Sequence, residues 1–298
     1  MSLYRAEALV LRVRDLGEAD RILTLYTRSE GKLQAVARGS RRPRSRLLGA
    51  TQPFCHARYL LMSGRELDSI QQAELLSHGL RALREDLRRM AAASVTAELV
   101  DLLVETREPS EALFSALLNT WSQLASAPEA ALHQVLSWFE VHLMDLMGYA
   151  PVLDGCAGCG RELQAAETVR FSAREGGSLC AACAVRRDPR APLLKPEARA
   201  ALHHLREHGT EACLRLKSSR EAALQIRRAL YDFIEFRLPA PSKAWHFWNS
   251  LDGPPPVPGA GPGDTEGSVN GLGGRAAQDR PDPGTDRARL PAGPRPAG

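Results

Sequence analysis

The chain has 298 residues, enough for one large or two modest domains with cores of their own. At 44% hydrophobic and 25% charged it has the composition of a soluble globular protein, which argues against a membrane protein. The net charge of +4 is a weak signal, but its distribution is informative. Residues 1–60 hold twelve Lys or Arg against five Asp or Glu, a net +7, which leaves −3 for all the rest. A basic head on a mildly acidic body points to a polyanion partner at one end. The first residues reach charge at Arg5 and Glu7, with no apolar run of signal-peptide length. The uncharged stretch Ala112–Pro128 carries Ser115, Asn119, Thr120, Ser122, Gln123 and Ser126, which suit a soluble helix better than lipid. The expectation is a cytoplasmic protein with no membrane partner, whose six cysteines favour metal over disulfides.

Residues 1–75 read as strands. Ala8–Arg14 alternates around Leu9, Leu11 and Val13, and Arg21–Thr27 is β-branched and aromatic. Leu33–Arg38 follows a Glu30-Gly31 turn, and Phe54–Met62 and Glu66–Gln72 flank a Ser63-Gly64 turn. Five short strands with Gly-centred turns fit a small all-β barrel of OB-fold size, although an SH3-like barrel has a similar strand count. Beyond Glu74 the period becomes helical, beginning with Leu76, Leu80, Leu83, Leu87 and Met90. Pro109-Ser110-Glu111 reads as a stop and an N-cap, and Pro128-Glu129 opens a helix that closes at Gly148. Helices are also expected over Pro196–His208 and Ser219–Leu238. Trp121, Trp138 and Phe139 fall at core spacing, and the unpaired Cys55 and Cys213 are expected in the core. The fold class is therefore α+β, in three parts. Residues 1–75 form an OB-type head and residues 76–252 a helical domain with an insert at about 154–187. Residues 253–298 hold ten of the 20 prolines and are expected to be a disordered tail.

The insert carries Cys156-Ala-Gly-Cys159 and Cys180-Ala-Ala-Cys183, two C-x-x-C pairs with 20 residues between them. Each pair lets one tight turn present two sulfurs to a tetrahedral ion, with Gly158 and Gly160 allowing close backbone approach. Val169–Ser172 and Gly176–Leu179 could form a hairpin that brings the two turns together. One structural Zn2+ on four thiolates is the expectation; a redox dithiol needs only one pair, and iron–sulfur clusters use other spacings. A site closed by four protein ligands leaves no position for hydrolytic water.

Between the third strand and the fourth, Arg38, Arg41, Arg42, Arg44 and Arg46 fall within nine residues that contain no acid. Gly39, Ser40, Pro43 and Ser45 make the segment a loop whose guanidinium groups can grip phosphates. A solvated charged loop is the plainer alternative, but the barrel on either side favours nucleic acid. Lys32 and the strand residues Arg12, Arg14 and Arg21 extend the candidate DNA-binding set. With little aromatic stacking on offer, binding should rest on phosphates and show little sequence preference.

No phosphate-binding glycine loop is present. His204-Leu-Arg-Glu-His208 spells H-x-x-E-H, an inverted zinc-protease signature, so a zinc-dependent hydrolase using His204, Glu207 and His208 is the alternative from another class. The helix stops at Gly209 and no third ligand stands out, so surface histidines at a helix end fit better and no catalytic residues are assigned. An RNA-binding OB protein is a further alternative, because phosphate contacts do not distinguish RNA from DNA.

Several stretches together resemble the RecO family of bacterial DNA-repair and recombination mediators. They are Ala8-Leu-Val-Leu11, Leu23-Thr-Leu-Tyr-Thr27, Gly31-Lys-Leu33 and Val36-Ala-Arg-Gly-Ser-Arg-Arg-Pro43, then Gln52-Pro-Phe54 and Phe139-Glu140 through Leu146-Met-Gly-Tyr-Ala-Pro151. The resemblance runs in order over about residues 1–250, and the four cysteines match its zinc-bearing branch. It implies a protein without catalytic residues that binds single- and double-stranded DNA and anneals complementary strands. It also implies a nucleoid-associated protein that joins RecR and helps RecA load on DNA coated by single-strand-binding protein. The acidic tail of that coating protein would be met by the helical domain.

Overall fold

In the computed structural model, which describes residues 2–251, the alternating pattern of the head becomes five strands. These are β1 (Leu3–Leu16), β2 (Asp20–Thr27), β3 (Gly31–Ala37), β4 (His56–Met62) and β5 (Asp68–Leu75). They close into a barrel in the order β1-β2-β3-β5-β4, with a parallel contact at Ala35↔Asp68 and Val36↔Ser69. That order is the OB arrangement and decides between the two barrels that strand count left open. β1 is longer than its alternation suggested because it serves two neighbours, pairing with β4 through its first half and β2 through its second. A register shift between Val10 and Arg12 bends it from one to the other.

The inward residues of the barrel, among them Val10, Leu23, Leu25, Leu33, Tyr59 and Leu61, form a core of their own. Leu9, Leu11, Tyr26 and Phe54 point the other way and belong to the core of the helical body. Phe54 meets Trp121 edge-on at 5.4 Å between centroids, and Tyr26 stacks on Phe114 at 6.4 Å. Head and body thus share buried surface within one compact unit.

The body contains α1 (Ala82–Glu85), α2 (Leu87–Leu103), α3 (Glu111–Ser126), α4 (Leu132–Leu146), α6 (Pro196–Glu207), α7 (Thr210–Arg215), α8 (Arg220–Glu235) and α9 (Lys243–Leu251). A short α5 (Ala181–Arg187) belongs to the insert. The helical spacing from Leu76 does not yield one helix. The chain makes a 3-10 turn and the single turn α1, then breaks at extended Asp86, whose carboxylate accepts from Arg89 N at 2.8 Å and starts α2. Ser110 and Ser219 cap α3 and α8 in the same way, at 3.2 and 3.1 Å. Gly148, at φ +78, follows the end of α4 as the spacing implied. Trp121, Trp138, Phe139, Cys55 and Cys213 are all buried. Trp121 also donates to Thr96 at 2.9 Å, which satisfies its one polar atom. The unanticipated α9 closes the body with the buried Trp245 and Trp248.

In the insert, β6 (Val169–Ser172) and β7 (Gly177–Leu179) form the expected hairpin, and β8 (Leu193–Leu194) adds a third strand beside β6. Among the described residues no helix is long and apolar enough to cross a membrane. The expectation of a disordered tail over residues 253–298 lies outside the described residues.

Candidate nucleic-acid interface and metal centre

The arginine segment is a folded loop laid over the β1–β2 turn. Gly39, at φ +65, donates its N–H to Asp20 Oδ1 at 2.7 Å, and Arg41 N reaches Ala19 O at 2.9 Å. Successive turns follow, with Arg42 N on Gly39 O at 3.1 Å and Ser45 N on Arg42 O at 2.9 Å. Ser40 is buried at the base, so the backbone is fixed while Arg38, Arg41, Arg42, Arg44 and Arg46 are exposed. Arg41 is tethered to Gly17 O at 3.0 Å and to Asp15 at 3.5 Å. The side chains of Arg38, Arg42, Arg44 and Arg46 make no hydrogen bond or ion pair with the described residues.

Beside the loop, the outer face of β1–β2–β3 aligns Arg14, Ile22 and Val36 in one cross-strand row. Arg14 also reaches Gln34 at 3.5 Å, and Ile22, Gln34 and Val36 are half-buried. This face combines apolar surface with cations, a combination that period-2 reading of each strand alone did not bring out. Arg21 is half-buried against Thr51 O at 3.2 Å and Asp15 at 3.6 Å.

Arg12 and Lys32 stand apart from this group, at the seam with the body. Arg12 pairs with Asp101 of α2 at 3.1 Å, and Lys32 donates to Asp101 O at 2.6 Å. Burial lowers the Lys32 pKa, partly opposed by the Asp101 charge. The structure therefore gathers Arg14, Arg38, Arg41, Arg42, Arg44 and Arg46 on one side of the barrel, with Arg21 beneath them. The other two members of the set are engaged elsewhere.

The four cysteine sulfurs lie within 4.8 Å of one another, the one group of three or more potential metal ligands among the described residues. A tetrahedral ion with bonds of about 2.3 Å needs sulfurs about 3.8 Å apart, so the cluster fits such an ion with little adjustment. The first turn is closed by Gly160 N on Cys156 O at 2.8 Å and Cys156 N on Arg161 O at 2.7 Å. A Cβ on Gly158 would meet Cys183 Cβ at 3.1 Å, so the two turns interlock where the glycine sits. Cys180 N donates to Cys156 Sγ at 3.3 Å. Burial raises the Cys156 pKa, but this N–H and those of Gly158 and Cys159 outweigh it and bring the thiol down to about 6. Cys159 is exposed and the other three are buried. The residues present thus fit a structural metal ion.

The alternative histidine site is not assembled. His204 sits in the last turn of α6, whereas His208 lies past its end in extended backbone. The rings stack at 4.1 Å, and His208 Nδ1 approaches His204 O at 3.2 Å.

The body also holds a cleft of about 630 Å³ between α2, α4, α6 and α8. Leu205, Leu216 and Leu224 give it an apolar floor, and Arg88, Lys217, Arg220 and Arg227 line it with positive charge. Arg227 is oriented by Asn249 of α9 at 2.8 Å, and Arg88 by Glu129 at 3.0 Å. The sequence gives no sign of this cleft, because its cations come from α2 and from residues 217–227, far apart along the chain.

Comparison with known proteins agrees with this architecture. Residues 1–78 match the family described as recombination protein O N terminal, and residues 84–246 match recombination protein O C terminal. A DNA repair protein RecO of Symbiobacterium thermophilum is 40% identical over 255 residues, covering 84% of this chain and 98% of that protein. A protein of the same name from Heliobacterium modesticaldum is 37% identical over 253 residues, covering 84% of this chain and 91% of that protein. One from Pelotomaculum thermopropionicum is 44% identical over 183 residues, 61% of this chain and 69% of that protein.

Proposed function

This chain belongs to the recombination protein O family of DNA repair proteins, and from that premise we propose that it binds and anneals single-stranded DNA as a recombination mediator. With RecR, it helps RecA load on DNA coated by single-strand-binding protein. The observation that carries the reading is the anchored loop of exposed arginines beside a partly apolar barrel face. Each guanidinium that meets a phosphate releases condensed counterions, which drives binding to any sequence. Two complementary strands repel through their phosphates, and a rigid cationic rim lets both lie close while the bases pair. The half-buried Ile22 and Val36 offer bases an apolar surface without a sequence code.

Four clustered thiolates favour zinc over oxygen-seeking cations. A bound zinc ion would supply a cross-link between the two cysteine turns, with Cys156, Cys159, Cys180 and Cys183 as its ligands. The cleft between α2, α4, α6 and α8 suits the acidic tail of single-strand-binding protein: apolar floor for a hydrophobic side chain, cations for carboxylates.

The test is binding and annealing of two unrelated oligonucleotides over a salt series. The proposal expects log affinity to fall steeply with log salt for both sequences, and Arg38→Ala/Arg42→Ala/Arg44→Ala to weaken binding and annealing together. A folded triple variant with unchanged affinity and slope would remove the loop as the DNA site.

A further inference from the structure

Where the barrel meets the ends of α2, α4 and α8, a groove of about 510 Å³ remains that neither the arginine face nor the cysteine cluster uses. Leu103, Leu113 and Met147 line it, and Leu146 and Tyr149 stand at its mouth, 39% and 50% exposed. Phe236, at the C-terminal end of α8, is 60% exposed next to the lining residue Arg237. Exposed apolar side chains that cluster in this way mark interaction surfaces.

The groove is preorganised on both sides. On one, Arg237 donates to the Phe233 carbonyl at 2.6 Å, with its guanidinium 3.6 Å from the Phe233 ring. The same group lies 5.4 Å from the Tyr149 ring and 5.9 Å from that of Phe236. Its charge is thus shared among three ring faces, and the exposed rings are held in place by it. Tyr and Arg anchors that are already ordered lose little entropy when a partner arrives, and such residues dominate binding energy.

On the other side stand the exposed carboxylates of Glu105 and Glu108. Their loop is fixed by the barrel. Thr106 bridges to Lys32, Arg107 N donates to Lys32 O at 2.9 Å, and Gly31 packs against the Glu108 backbone. A Cβ at residue 31 would lie 2.4 Å from Glu108 O, so only glycine lets the loop dock this closely. Two fixed carboxylates repel a phosphate backbone and attract a cation.

We propose that this groove is a docking surface for a partner protein that presents an apolar side chain flanked by Lys or Arg. The apolar side chain enters between Leu146 and Tyr149, and its basic neighbours reach Glu105 and Glu108. The proposal is independent of the DNA-binding reading, which uses the opposite sign of charge.

The test uses the full chain, loaded with metal, and two labelled twelve-residue peptides with a Phe-Leu core. One has Lys and Arg on both sides of the core and the other Glu and Asp. Anisotropy should report binding of the basic peptide alone. Tyr149→Ala should weaken it about tenfold or more, as truncation of a binding anchor does. Glu105→Lys/Glu108→Lys should weaken it comparably, with the melting temperature and oligonucleotide affinity no lower than in the parent; both residues are exposed, so the fold is kept. The proposal is overturned if the basic peptide does not bind, if the acidic peptide binds as well, if both variants retain binding, or if a single-stranded oligonucleotide displaces the peptide.

Discussion

Asp68 of β5 and Arg107 of the loop after α2 form a 2.7 Å ion pair across the seam between barrel and body. Asp68 is 2% exposed and also accepts from the Tyr4 hydroxyl and from Gly64 N. Arg107 reaches it from a left-handed backbone, φ +66, which an unbranched side chain tolerates only when contacts hold it there. Burial alone would raise the Asp68 pKa; the hydrogen bonds from Tyr4, Gly64 and Arg107 outweigh it and hold the carboxyl below its ordinary value.

A depressed folded pKa contributes stability at pH values above the unfolded carboxylate range, and that contribution is lost as pH falls through the folded value. Asp68→Asn should therefore lower stability at neutral pH by about 1–3 kcal/mol, below the range for a fully buried pair because Arg107 is half exposed. Urea unfolding from pH 7 downward should show a flatter acid limb in the variant; an unchanged limb would mean that Asp68 is not the group responsible.

Glu140 has the opposite sign. It is buried in α4, and desolvation, only partly offset by the Arg227 charge and a hydrogen bond with Trp245, raises its carboxyl to about 8. The folded state then keeps a proton that the unfolded chain releases near 4.5, so stability should decline as pH rises from there towards 8. Glu140→Gln should remove that decline. Chemical denaturation at several pH values across this window measures it, and parallel curves for the two proteins would contradict it.

Removing the metal should unfold the insert before the rest. Chelation, or Cys156→Ser at the most hydrogen-bonded thiolate, should abolish metal binding and lower the melting temperature, because ligation and local folding are linked. Elemental analysis of protein prepared without chelator should give one zinc per chain.

Loop and seam cations should separate experimentally. Arg38→Ala, Arg42→Ala and Arg44→Ala should each flatten the salt dependence of DNA binding by about one unit per lost phosphate contact, with no change in melting. Arg12→Ala and Lys32→Met should instead lower the melting temperature, since both side chains are held by Asp101. A Lys32 variant that melts normally and flattens the salt slope would place that residue on the DNA path.

Strand alternation and the Ser110 cap were readable because their causes lie within a few residues in sequence. The cysteine cluster was readable because its spacing encodes geometry directly. The break at Asp86 was hidden, since the leucine spacing around it continues unbroken. Membership of the cationic face was only partly readable. Nothing near Arg12 or Lys32 announces Asp101, about seventy residues or more away, so charge alone could not show that these two are engaged. The cleft and the groove were invisible for the same reason, being assembled from distant helices.

Phe54 leaves the barrel at φ +63 and wedges against Trp121 in the middle of the body. The consequence is mechanical. A head keyed into its body by a buried ring is mechanically coupled to it, so on the proposed reading a pull on a strand held at the arginine rim would be borne by the body as well as by the barrel. On the proposed annealing reading, two strands would have to slide and reorient over a stationary surface, with the protein acting as an anvil and not as a clamp.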